Sequence, residues 1–143
     1  MHMLDETAAL FISNTGAMDR ILRHAVKDLG ISWTALRVLA DLVVAGPLTQ
    51  KQLVEIEQLK QSTISVLLRE METDGLIQFK INKKDARSKL VYITRKGKTN
   101  YERCGRVIRP LVSRMLGRLS QQELDTIYKS ERLLNRLLNE YRP

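Results

Sequence analysis

Residues Asn82 to Lys89 read NKKDARSK: four cations in eight residues, with one carboxylate, Asp85, two places before Arg87. Lysines in such a run are point charges that suit phosphate oxygens, whereas an arginine offers a planar fork of donors. A carboxylate beside that fork can hold it in one orientation and reduce the rotamer entropy lost when it docks. The bland alternative is a solvated surface ion pair, worth about 0–1 kcal/mol. Which reading applies depends on the elements that flank the run and on where the other charges lie.

Of 143 residues, 24 are Lys or Arg and 16 are Asp or Glu, for a net charge of +8. The excess is concentrated. Residues 1–46 carry a net −1, residues 47–76 a net −2, and residues 110–143 a net +2. Residues 77–109 hold eleven cations against Asp85 and Glu102, a net of +9. That is the footprint of a face that binds a polyanion.

The elements that must position this charge follow from periodicity. Leu4, Ala8, Phe11, Thr15, Met18, Leu22, Ala25 and Leu29 recur at three- and four-residue spacing, so residues 3–29 read as one long helix with a narrow apolar seam, ended by Gly30. Ser32 is placed to cap a second helix running to about Ala45, after which AGPL breaks the pattern. Thr49 and Gln52 form a capping box for a short third helix to about Glu57, and a fourth spans about Gln61 to Thr73, with Gly75 beyond its end. Short helix, tight turn, helix is the helix-turn-helix pattern. The period then changes to two. LIQFKI and KLVYI read as strands, and Asn82 to Ser88 becomes the loop that joins them. The charged run is therefore the tip of a β-hairpin wing.

Thr94 caps a further helix with Tyr101, Cys104, Ile108, Leu111 and Met115 on one face, and Ser120 with Glu123 opens a last one. The fold expected is mostly α with a small β-hairpin wing. A winged helix-turn-helix lobe over residues 32–97 sits between helical regions, 3–29 and 98–141, in a single chain of 1–143. The seams of the first and last helices exceed what one small lobe needs, so they are expected to pack against a second copy as dimerisation helices.

In order along the chain, GISWTALRVL, LTQKQLVEIEQLKQSTISVLLREMETDGLI, DARSKLVYITRKG and LSQQELDTI resemble the MarR family of bacterial transcription regulators, over about residues 4–141. Asp85-x-Arg87 together with Ile93-Thr94-x-x-Gly97 is the most specific part. The resemblance implies a homodimer that binds double-stranded DNA at a palindromic promoter site, usually as a repressor released by a small phenolic or aromatic acid. A cytoplasmic location is expected separately, from the lone cysteine and the lack of a secretory signal or membrane span. On the fourth helix Gln61, Ser62, Thr63, Ser65 and Arg69 are then the recognition residues, with Ser62 an alternative cap because Lys60 stands where a small residue is usual. In the wing, Asp85 orients Arg87 into a minor groove, and Lys83, Lys84 and Lys89 meet phosphates. His24, Trp33 and Arg37 are candidate effector contacts, although Trp33 also reads as a half-buried anchor and Arg37 as a surface cation.

Other chemistry has little footing. No GxSxG, phosphate loop, HExxH or CxxC occurs, so an enzyme is not expected. Two histidines and one cysteine make a metal site improbable, and no cofactor is expected. Cys104, mid-helix among apolar residues, reads as an inert thiol rather than a redox switch, and as a lone cysteine it fits a reducing compartment. The N-terminus lacks the basic region of a secretory signal, and no apolar run is long enough for a membrane span. The rival readings are an architectural winged helix that binds nucleic acid without sequence preference, and a wing that docks on an acidic protein.

Overall fold

The computed structural model describes residues 2–141; Met1, Arg142 and Pro143, within the expected chain of 1–143, lie outside the described residues. Six helices and a small antiparallel sheet follow in the order α1 (His2–Val26), α2 (Trp33–Ala45), β1 (Leu48–Thr49), α3 (Gln50–Glu57), α4 (Gln61–Thr73), β2 (Ile77–Ile81), β3 (Lys89–Ile93), α5 (Arg95–Leu116) and α6 (Gln121–Glu140).

Local chemistry explains most of these boundaries. The Ser32 side chain accepts from the Ala35 N–H at the start of α2. Reciprocal capping boxes open α3 (Thr49 with Gln52) and α6 (Ser120 with Glu123). At the end of α4, the Gly75 N–H donates to the Glu72 carbonyl and the Leu76 N–H to the Met71 carbonyl, with Gly75 at φ +75°. This is the Schellman arrangement, in which the left-handed position excludes most side chains.

Three boundaries differ from the sequence reading. The first helix stops at Val26 rather than running to residue 29, because Lys27 and Leu29 donate back only three residues, to His24 and Val26, in a turn that leads to Gly30. Ser62 does not cap α4. The N-cap is Lys60, and no side chain accepts a hydrogen bond there. An unforeseen third strand, the dipeptide Leu48–Thr49, pairs with β3, so the sheet order is β1-β3-β2. Two residues carry no readable period; only pairing with Val91 and Leu90 makes them a strand.

The core lies under the helix-turn-helix. Val38, Leu39 and Leu42 from α2, Leu53 from α3, Ile64, Leu68 and Met71 from α4, and Ile77 and Val91 from the hairpin are all buried together. Each such aliphatic side chain contributes about 1.5–3 kcal/mol when fully removed from water. Gly97 closes this arrangement. A Cβ there would run into the Leu76 carbonyl oxygen and come within 2.8 Å of Ile93 Cγ1, so only glycine lets α5 pass so close to the root of the hairpin.

The chain divides into two compact units, one running through Val107 and the other beginning at Ile108. The boundary falls in α5, close to Pro110, which has no N–H to offer the carbonyl four residues back. In the second unit, α6 has no buried residue, and Leu137, Leu138 and Tyr141 are well exposed. Among the described residues no helix is long and apolar enough to cross a membrane.

Candidate nucleic-acid interface

The helix-turn-helix exposes one face of α4. Ile64, Leu68 and Met71 anchor the opposite side in the core, which leaves Gln61, Ser62, Thr63 and Arg69 exposed and Ser65 half-buried. Arg69 Nε reaches back 3.4 Å to the Ser65 carbonyl, so its guanidinium lies along the helix. Val66 also stands on this face, 49% exposed, although no polar pattern singles it out. An exposed apolar residue among hydroxyls is the signal that could have found it, since a methyl group suits the thymine methyl of a major groove. With no side-chain cap, the first N–H groups of α4 remain available to an acceptor.

The wing tip is a built loop. The Asn82 side chain accepts from the Lys84 N–H at 3.1 Å and donates to Ser88 Oγ at 3.1 Å. The Asp85 N–H donates to the Asn82 carbonyl, and the Ser88 N–H donates to the Asp85 carbonyl. Asp85 Oδ1 accepts the Arg87 backbone N–H at 3.0 Å, and Arg87 Nε stands 3.7 Å from the same oxygen. One carboxylate oxygen therefore shapes the turn and borders the guanidinium, whose side chain is 96% exposed. Asn82 and Ser88 thus build the loop, and short polar side chains that bond nearby backbone are the sequence mark of such turns. Lys83, Lys84 and Lys89 are exposed around this tip, and Lys80 packs its ammonium 4.6 Å from the centre of the Tyr92 ring.

Not all of the positive stretch, residues 77–109, serves one surface. The wing, residues 77–93, holds five cations against Asp85. On α5, Lys96 Nζ donates to the Asp74 carbonyl at 2.6 Å, satisfying the end of α4, and Arg103 donates to the Leu29 carbonyl. These two cations fasten neighbouring elements.

The three effector candidates occupy different settings. His24 is exposed in the last turn of α1. Trp33 is half-buried and donates its indole N–H to Asp19 at 2.8 Å. That bond, after the stronger one from Arg23, holds the Asp19 carboxyl below its ordinary range. Arg37 stands 2.7 Å from the buried Glu57, a partner twenty residues away that no local pattern announces. None of the three lines the half-open groove of about 530 Å³ formed by Leu42, Val43, Pro47, Tyr92, Lys98 and Tyr101. Cys104 is buried, and burial pushes its thiol up from the ordinary value, which disfavours the reactive thiolate. Among the described residues no cluster of three or more histidine, cysteine or carboxylate side chains could hold a metal ion.

An exposed helix face after a tight turn, followed by a cationic hairpin, defines a winged helix-turn-helix. Residues 31–89, which contain the helix-turn-helix and the wing as far as the first residue of β3, match the model of the MarR family. The chain as a whole has the fold of MarR regulators. A cysteine-to-serine mutant of MarR from E. coli superposes with a TM-score of 0.80 at 23% identity, covering 92% of this chain and 95% of that one. The same mutant complexed with operator DNA gives 0.72 at 22%, covering 95% and 96%. A MepR mutant from S. aureus bound to an oligodeoxyribonucleotide gives 0.64 at 22%, covering 92% and 97%. No curated protein sequence matches the chain.

Proposed function

We propose that this protein is a sequence-specific, DNA-binding transcription regulator that acts as a homodimer. The observation that carries the reading is the wing tip: a fully exposed arginine, bordered by a carboxylate that also shapes its loop, placed after a helix whose polar face is free. An α-helix fits the major groove, where Gln61, Ser62, Thr63, Ser65 and Arg69 would address base edges and phosphates. Arg87 would enter the adjacent minor groove, where negative potential is enhanced, with Asp85 holding it in place. Lys83, Lys84 and Lys89 would neutralise phosphates. The relatives solved with operator DNA and with an oligodeoxyribonucleotide support duplex DNA as the partner.

The dimer reading rests on the uncovered seams. Leu124, Ile127, Leu134, Leu138 and Tyr141 repeat at three, seven, four and three residues along α6, a coiled-coil spacing, and α1 exposes Leu4, Phe11 and Met18 in the same manner. A self-complementary apolar stripe fits a second copy, and two lobes would then meet two half-sites of a palindrome. Repression, release by an aromatic acid and a cytoplasmic setting complete the proposal. For an effector carboxylate to use Arg37 it must displace Glu57, while His24 and Trp33 would flank it. The exposed lysines of the wing favour a second reading, an architectural protein that binds any duplex.

Fluorescence anisotropy decides between them. Duplex from upstream of the protein's own gene is compared with a scrambled duplex across a salt series, for the wild type and Arg87→Ala. Preference for the native duplex that Arg87→Ala reduces by roughly tenfold or more supports the regulator. Equal binding of both, followed by a genome-wide selection that returns no preferred site, supports the architectural reading instead.

A further inference from the structure

Glu57 is buried at the last position of α3, and the next residue, Gln58, turns the chain toward α4 in a left-handed conformation at φ +54°. Three ionisable side chains meet at this turn. Arg37 and Asp41 lie one helical turn apart on α2, and Glu57 faces them from α3. Arg37 Nη2 stands 2.7 Å from Glu57 Oε2 but not along an N–H direction, so that oxygen is in ionic contact without being hydrogen-bonded. Asp41 Oδ2 is also buried and meets no donor among the described residues. Each carboxyl group thus has a buried oxygen that no donor satisfies, and Asp41 is the acidic neighbour that acts on Glu57. Two carboxylates, however, are acceptors only.

The charges do not balance either. Arg37 offsets one carboxylate and leaves the other uncompensated in a buried setting, which is costly. No help comes from α1, where Asp19 is a further anion already bonded to Arg23 and Trp33. From α4, β1 and β3, which also pack on α3, no charged group acts on Glu57. A single proton makes the cluster neutral and supplies the missing donor.

We propose that Glu57 carries a proton directed at Asp41 across the contact of α2 with α3, that this proton seats the helix-turn-helix, and that its loss as the medium becomes alkaline weakens binding to duplex DNA. The last step rests on the DNA-binding reading above. Burial, then the hydrogen bond and charge of Asp41, push the Glu57 carboxyl up to about 7, against the opposing pull of Arg37. A raised carboxyl contributes stability that is complete below its unfolded value, about 4.5, and is lost as pH rises through about 7. Above that range the ionised Glu57 seeks water, and Gln58, already left-handed, moves with it.

The first test is thermal unfolding of the wild type and Glu57→Gln between pH 5 and pH 8 at one protein concentration. Glutamine is neutral at every pH and keeps an N–H for Asp41. Across this range the wild type is expected to lose roughly 5 °C more than Glu57→Gln; parallel curves overturn the Glu57 proton. Should Glu57→Gln fail to fold, carbon-13 labelling of glutamate carboxyls reads the wild type directly. One carboxyl titrating near neutrality, and shifting in Asp41→Asn, supports the proposal; all glutamates titrating in the ordinary range overturns it. Anisotropy with a bound genomic duplex at pH 6 and pH 8 then tests the coupling. Several-fold weakening at pH 8 in the wild type beyond that in Glu57→Gln supports it, and equal weakening overturns it. Proton-linked stability with no affinity for any duplex would sink the DNA-binding reading while leaving the Glu57 proton intact.

Discussion

Asp85 bears a negative charge on the face proposed to meet a polyanion, and simple electrostatics says its removal should tighten binding. The geometry says the opposite. Its Oδ1 accepts the Arg87 backbone N–H and lies beside the Arg87 guanidinium, so Asp85→Ala frees both the loop and the arginine. We expect Asp85→Ala to weaken duplex binding by roughly tenfold, about 1.4 kcal/mol, with unfolding temperature little changed because the pair is exposed. Anisotropy beside a thermal melt checks this, and tighter binding would exclude a positioning role. Val66 belongs to the same scale. If it meets a thymine methyl, Val66→Ser should reduce preference for the native duplex while sparing affinity for a scrambled one. Equal loss on both duplexes would place Val66 outside base readout.

At the scale of elements, two close approaches decide whether the wing and α4 keep their relation. Gly97 lets α5 pass against the Leu76 carbonyl, while Thr94 donates its hydroxyl to the Gly75 carbonyl and accepts the Gly97 N–H at 3.0 Å. The turn that ends α4 and the turn that starts α5 are thus one joint. Gly97→Ala must push backbone apart, since no flexible side chain can yield. We expect a loss of about 1–3 kcal/mol in urea or thermal unfolding. A variant as stable as the wild type would show that the joint opens at no cost. The sequence reading did single out Thr94 and Gly97 as a motif and Gly75 as a helix end. It could not show that they touch, because residues 75 and 97 are joined only through the register of the hairpin, Ile77 opposite Ile93.

For the whole molecule, the exposed apolar stripes of α1 and α6 call for a partner surface. An exposed apolar surface of this length does not stay in water without consequence. Sedimentation equilibrium should give twice the 16.5 kDa of one chain. Leu134→Asp with Leu138→Asp should shift that toward the monomer and, if the proposed site has two halves, weaken duplex binding far more than either lobe's stability. A wild type that sediments as a monomer would remove the palindrome from the proposal.

Periodicity, caps and charge clustering are local properties, and they were legible without coordinates. The helix-turn-helix, the hairpin, both capping boxes and the clustering of positive charge in residues 77–109 depend on residues within a few places of one another. What lay beyond the sequence depended on contacts between distant residues. Leu48–Thr49 is a strand only because β3 offers it partners, and Lys96 and Arg103 are fasteners only because Asp74 and Leu29 turn open carbonyls toward them. Glu57, at the end of a short polar helix, carries no local sign of burial. Its burial against Asp41 and Arg37 was decided by the packing of α3 on α2, and packing, by removing water, turned an ordinary charge into a proton-binding site.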